Sequence, residues 1–280
     1  MNELVAQRMK HISALFQQCA SVADEQPNDN LLQEFLETTD SEFRSVAYEA
    51  SAMSRAISDF SDNQKLEHWS AFLHQFPQHA TQIHIGLGWA FSQKKVSPSS
   101  FFSIISPIML PRVLDGLGYC DASFRQRVVI QQKVVPENFT TALLRGYDQG
   151  VGRALWYIAK GNPTKLGELI SLFPEERKNN LWRGAGIAVA YVGGGDEELL
   201  DELQTQSALF FDDLKIGIIL ATSSRAHAGT ITDSIELVCK HWFGNSAESI
   251  AKLAQKEETA ATNYFDYIAA IRPFVSLLAK

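Results

Sequence analysis

Leu181-Trp182-Arg183-Gly184-Ala185-Gly186-Ile187-Ala188-Val189-Ala190-Tyr191-Val192-Gly193-Gly194-Gly195 is the stretch on which the fold turns. Apart from Arg183 its first twelve residues are apolar, aromatic or small, with two glycines set two apart, and it stops at three glycines in a row. Consecutive glycines supply a left-handed cap and break a helix at once, so a helix from about Glu175 to Val192 is predicted. Upstream, Asn162 is placed to cap, and Pro163 to open, a shorter helix over Lys165 to Phe173.

The Gly-x-Gly element recurs. His84-Ile85-Gly86-Leu87-Gly88-Trp89, Leu114-Asp115-Gly116-Leu117-Gly118-Tyr119 and Asp148-Gln149-Gly150-Val151-Gly152-Arg153 carry it whole. Tyr48-Glu49-Ala50-Ser51-Ala52-Met53 and Asp213-Leu214-Lys215-Ile216-Gly217-Ile218 carry it in part. With Ala52, Gly88, Gly118, Gly152, Gly186 and Gly217 taken as equivalent, the intervals are 36, 30, 34, 34 and 31 residues. Pro77 lies eleven residues before Gly88 and Pro174 twelve before Gly186, which supports the register. A spacing near 33 holds two short helices and two turns, the unit of helical-hairpin solenoids. Glycine inside a helix costs about 1 kcal/mol relative to alanine, so its recurrence at one place requires a gain, and close approach of a neighbouring helix is the expected one.

An all-α, single-domain, solenoid-like fold follows, with glycine-centred repeats over residues 41–229 and helical caps at 1–40 and 230–280. In the first cap Leu4, Val5, Met9, Ile12, Leu15 and Phe16 fall on one helical face, and Pro27-Asn28-Asp29-Asn30 breaks the segment. The last cap divides into Ile231 to Phe243 with a capping box Asp233-x-x-Glu236, Ala247 to Glu257, and Tyr264 to Leu278, which contains Pro273.

Composition bounds the function. The chain has 280 residues, 25 Lys+Arg against 32 Asp+Glu, a net charge of −7 and 45 % apolar residues. That is a folded globular balance, and without a basic stripe it gives no nucleic-acid surface. The longest apolar runs fall well short of the roughly 20 residues of a membrane span. Met1-Asn2-Glu3-Leu4 has no secretory pattern, and Cys19, Cys120 and Cys239 form no pair of metal or disulfide spacing, so a cytoplasmic protein with reduced thiols is expected.

Local motifs are uninformative about chemistry. After each Gly-x-Gly the third position of a dinucleotide fingerprint holds Phe91, Asp121, Leu155 or Val189 rather than a small residue, and no phosphate-binding Gly-x-x-x-x-Gly-Lys-[Ser/Thr] occurs. His68, His74, His79 and His84 lack the i, i+4 spacing of a helical metal site, and no Gly-x-Ser-x-Gly elbow exists. No cofactor or metal is implied. A helix face is more informative. Positions three before, one after and five after the reference residue share a side, and they hold Glu49, Trp89, Asp115, Tyr119, Arg153, Tyr157, Arg183 and Tyr191 together with Met53, Ile57, Ile85, Ile187 and the polar Gln93, Ser123 and Gln149. Two readings fit this mixture. The face lines a ligand groove, or its aromatics are core while Glu49, Asp115, Arg153 and Arg183 make ion pairs between repeats.

Phe43-Arg44-Ser45-Val46-Ala47-Tyr48-Glu49, Asp115-Gly116-Leu117-Gly118-Tyr119, Gly150-Val151-Gly152-Arg153-Ala154-Leu155-Trp156 and Leu181 to Gly194 together resemble the DUF1702 family, in its order, across about residues 43–194. The sequence departs from the family pattern at Ala50 and at Tyr119-Cys120-Asp121. The resemblance implies a setting in enediyne-type polyketide biosynthesis and supplies no catalytic residue. The leading expectation is an accessory protein binding an extended apolar small molecule, a polyketide or polyene, with Trp89, Tyr119, Tyr157 and Tyr191 packing on it and Arg153 and Arg183 holding a polar or anionic end. A protein-interaction scaffold is the alternative partner class, and an enzyme using Glu49 or Asp115 as acid or base is the third.

Overall fold

The computed structural model describes residues 2–62 and 65–277. Among them the chain forms fourteen α-helices and no strand: α1 (Glu3–Glu25), α2 (Asp29–Thr38), α3 (Arg44–Asp62), α4 (Glu67–Gln75), α5 (Ala80–Lys94), α6 (Leu110–Phe124), α7 (Thr141–Ile158), α8 (Pro163–Ser171), α9 (Glu175–Val192), α10 (Glu197–Ser207), α11 (Phe211–His227), α12 (Asp233–Phe243), α13 (Ala247–Ala260) and α14 (Tyr264–Leu277). The local signals that set the boundaries are mostly the expected ones. Asn162 Oδ1 accepts from the Lys165 amide at 2.8 Å, with Pro163 in the first turn, and Gly193 and Gly194 leave α9 with positive φ. The capping box expected at Asp233 is absent: Thr232 caps α12, and the Glu236 carboxylate accepts instead from the Ala247 amide at 2.8 Å, which opens α13. The expected last residue of the C-terminal helix, Leu278, lies outside the described residues.

The Gly-x-Gly helices pack side by side in chain order, α3 on α5, α5 on α6, α6 on α7, α7 on α9 and α9 on α11. The reason for the spacing of two is geometric. Each residue turns an α-helix by about 100°, so positions i and i+2 lie about 200° apart and face opposite neighbours. A Cβ on Gly116 would sit 2.0 Å from the Ile85 carbonyl oxygen of the preceding helix, and one on Gly118 would sit 2.1 Å from the Tyr147 carbonyl oxygen of the following one. Gly150 and Gly152 repeat this against Asp115 and Leu181 at 1.8 and 1.9 Å, and Gly184 and Gly186 against Gln149 and Leu214 at 1.8 and 2.1 Å. Backbone therefore rests on backbone at each step, and the first glycine of each pair grips the helix before it while the second grips the helix after.

Between these helices the connections are unequal. Short helices α4, α8 and α10 fill three of them, whereas α5 reaches α6 through a 3-10 turn at Pro98–Phe101 and α6 reaches α7 through a π turn at Arg127–Gln131. The two-helix unit expected everywhere is thus present only at some steps. The series also bends round on itself. Gln82 of α5 donates to the Tyr191 hydroxyl of α9 and, at 2.8 Å, to the Ser224 hydroxyl of α11, and Arg225 of α11 donates to the Glu42 carbonyl just before α3 at 3.0 Å.

The two ends of the chain are placed on this curled series rather than beyond its first and last members. Helix α1 runs across it: Arg8 donates to the Val192 carbonyl at the end of α9 and pairs with Glu42, while Phe16 stacks on Trp89 of α5 with ring centroids 4.5 Å apart. Helices α13 and α14 fold back over α6, α7 and α11. Glu258 pairs with Arg112, the Tyr264 hydroxyl donates to Gln149 Oε1 at 2.7 Å, and Lys215 donates to the Val275 carbonyl at 3.2 Å. Buried apolar side chains from Val5 to Val275 form one contiguous core. Cys19, Cys120 and Cys239 are buried within it as free thiols.

Gly150→Ala should be among the most damaging small substitutions in the protein, because the added Cβ meets backbone that cannot move without separating α6 from α7. The expected loss is about 3 kcal/mol or more, read from urea midpoints. Gly244→Ala, at φ +64 with open space around it, should cost only the ~1–2 kcal/mol of left-handed backbone; equal losses at the two sites would contradict the packing account.

Candidate functional site

On each glycine helix the two flanks touch neighbours, so the residues between them on one side of the layer point into the interior of the curl. There they surround a cavity of about 750 Å³, within the usual size of small-molecule sites, about 300–1,000 Å³. Glu49, Trp89, Tyr119, Arg153, Tyr157 and Tyr191 all line it. They come from α3, α5, α6, α7 and α9, and the curling of the series brings them together. Ser13, Gln17, Gln93, Phe124, Gln126 and Lys160 form the exposed mouth.

Two of the eight expected residues are elsewhere. Asp115 lies behind the cavity wall, 1 % exposed, where it accepts from Arg153 at 2.5 Å and from Gln149 Nε2 at 2.8 Å. Arg183 does not reach the cavity: it pairs with Asp213 at 3.0 Å and bonds the Asn180 side chain. In this position it forms an ion pair between α9 and α11. The two readings of the mixed face both describe part of it. Trp89, Tyr119, Tyr157 and Tyr191 line open space, while Asp115, Arg153, Arg183 and Asp213 tie adjacent helices.

The wall is a connected set of rings. Trp89 and Tyr119 have centroids 5.1 Å apart, and Tyr119 meets Tyr157 edge-on at 5.7 Å. The Arg153 guanidinium sits 4.9 Å over the Tyr119 ring. Trp89 Nε1 donates to Glu49 Oε1 at 2.9 Å, and Arg153 approaches the same oxygen at 3.7 Å. Arg153 is not a free cation, since one guanidinium stands between the two carboxylates of Glu49 and Asp115. Burial raises the Glu49 carboxyl above its ordinary value; Arg153 and the Trp89 hydrogen bond oppose this, and Asp115 adds to it. Burial also raises the Tyr119, Tyr157 and Tyr191 phenols and keeps them neutral. The arrangement can hold an apolar body against aromatic rings and offer one end a carboxyl group and a guanidinium. Cys120 is not among the lining residues, and burial lifts its thiol to about 11.

One wall was not foreseen. Ile12, Phe16 and Ala20 of α1 close the cavity on one side. Ile12 and Phe16 stand on the apolar face visible in the N-terminal sequence, but amphipathicity marks a face as covered without saying by what. Ser45 and Val46, also in the wall, precede the glycine register and carry no comparable signal.

The family model described as protein of unknown function (DUF1702) matches residues 1–269. The chain belongs to the DUF1702 family. The match takes in α1 through α13, so both the cavity and the helix that covers it lie within the matched stretch of this DUF1702 chain. No curated protein and no solved structure matches the sequence. Among the described residues no helix is long and apolar enough to cross a membrane.

The raised Glu49 carboxyl has a consequence for stability with a definite sign. The folded protein holds this proton more tightly than the unfolded chain, so the contribution is fully present below the ordinary carboxyl range and is lost as pH rises through the folded value. Glu49→Gln, which keeps an oxygen for Trp89, should match the wild type near about pH 4 and become the more stable of the two toward about pH 8. Urea midpoints across that range check this; parallel profiles would remove Glu49 from the account.

Proposed function

We propose that this protein binds an extended apolar small molecule in the α1-covered cavity. The single observation that carries this reading is the convergence of Trp89, Tyr119, Tyr157 and Tyr191 from separate helices onto one open volume, with Glu49 and Arg153 together in its wall. Interior side chains pack at crystal-like density, so an aromatic-walled space of this size supports the presence of an occupant. Following the resemblance drawn from the sequence, the ligand is a polyketide or polyene, the setting is enediyne-type biosynthesis, and the protein acts as a cytoplasmic accessory factor. The fold on this reading is a degenerate helical repeat, with a period near 33 residues, that closes on a ligand instead of presenting an open groove.

A second reading, an interaction scaffold, has one observation in its favour. Phe124 is 73 % exposed at the mouth, and Val128, Val134 and Val135 are exposed nearby in the chain, a concentration of apolar side chains of the kind that marks contact sites.

Native mass spectrometry of the protein isolated from its own host distinguishes the two. A mass above the 31.2 kDa chain is expected, and it should disappear in Ala20→Trp, which fills the cavity from α1, while the melting temperature stays close to that of the wild type. A chain of bare mass that retains a protein partner would favour the scaffold.

A further inference from the structure

We propose that the ligand's buried end carries a positively charged nitrogen, received by Glu49. This rests on the small-molecule reading above and specifies its chemistry. Glu49 is 8 % exposed and lines the cavity. Its Oε1 is taken by Trp89 and approached by Arg153, whereas Oε2 has no hydrogen-bond partner among the described residues and is not sealed in the core. A buried carboxylate oxygen that faces a cavity with no protein donor on it is an acceptor suited to a ligand's donor.

The charge count gives the donor its sign. Asp115 at 2.5 Å and Glu49 at 3.7 Å share the one Arg153 guanidinium, so when Glu49 is ionised the two carboxylates outnumber the cation between them by one charge. The next cation inward, Arg225, lies under the Tyr191 ring at 4.6 Å and gives its hydrogen bonds to the carbonyls of Glu42, Thr230 and Tyr191. Lys160 stands at the exposed mouth, suited to the other end of a ligand. An anionic head beside Glu49 would meet the carboxylates of Glu49 and Asp115 with a single guanidinium between them. An ammonium there would complete the alternation Asp115, Arg153, Glu49, ligand, with the rings of Trp89 and Tyr119 adding cation–π attraction. Burial of Glu49, which favours its protonated form in the empty cavity, makes capture of a cation release a proton.

Octylammonium, octanol and octanoate share one tail and differ in head charge, and the ammonium has N–H groups to give to Glu49, so together they separate the cavity from its preference. Binding is measured by calorimetry and by the shift of the Trp89 indole N–H resonance, whose hydrogen bond ends on Glu49. The expected order is octylammonium tightest, by about tenfold or more over octanol, with octanoate weakest. Affinity for the ammonium should rise with pH from about 5 to about 8, and that for octanol should not. Glu49→Gln should bring ammonium and octanol to within about threefold of each other. The wild-type pH series tests the same point without a variant. Octanol or octanoate binding as tightly as the ammonium at the Trp89 signal would overturn the cationic assignment and leave the cavity reading standing. Failure of all three to move that signal would overturn the cavity reading, and the assignment with it.

Discussion

Contact between main chains at the paired glycines is the constraint on which the rest of the structure depends. Two positions set two apart on a helix face opposite sides, so a Gly-x-Gly pair brings both neighbours to backbone distance, as Gly150 and Gly152 do with Asp115 and Leu181. Helices drawn this close cannot interpose large side chains along their flanks. Their large residues are displaced to the two faces of the layer. On one face these displaced residues are mainly core; on the other they include Trp89, Tyr119, Arg153 and Tyr157, which line the cavity. The glycines and the aromatics are thus two results of one packing rule.

Buried charge follows the same geometry. Arg153 reaches Asp115 on the preceding helix and Glu49 two helices further back, and Arg183 reaches Asp213 on the following one. Removing Asp115, the close partner of Arg153, would cost about 3–5 kcal/mol, while the pair itself adds little net stability over an apolar equivalent. Their value lies in register. A helix shifted by one residue would leave a guanidinium without its carboxylate, and this specifies how each neighbour sits on the last.

The helical class and the series of glycine helices were legible from the chain because glycine pairs, proline starts and cap residues act locally. Six of the eight residues picked from the mixed face meet at one cavity for the same reason: positions three before, one after and five after the glycine turn to one side of any helix. What could not be read was the curvature of the series. Gln82 meeting Ser224 spans 142 residues, and nothing local to either side chain encodes it. Arg183 illustrates the limit. It shares the face of Glu49 and Asp115 by position, but Asp213 on α11 claims it, and only the placement of the following helix reveals that. The connections between α5, α6 and α7 were likewise hidden, since a regular interval fixes where the next glycine helix begins without saying whether a helix or a turn fills the gap.

The position of α1 bears on the order in which the molecule is made. Of the described helices it leaves the ribosome first, yet part of its seat, the Val192 carbonyl that receives Arg8, lies 184 residues downstream, and synthesis at about 5–20 residues per second delays that segment by about ten seconds or more. Until then the apolar face of α1 has only the segments made before α9 to cover it, α3 and α5 among them. The wall that closes the cavity is therefore made before the rest of the described structure and is among the last parts of it to be secured, and the interior stays open to the surroundings for most of the protein's assembly.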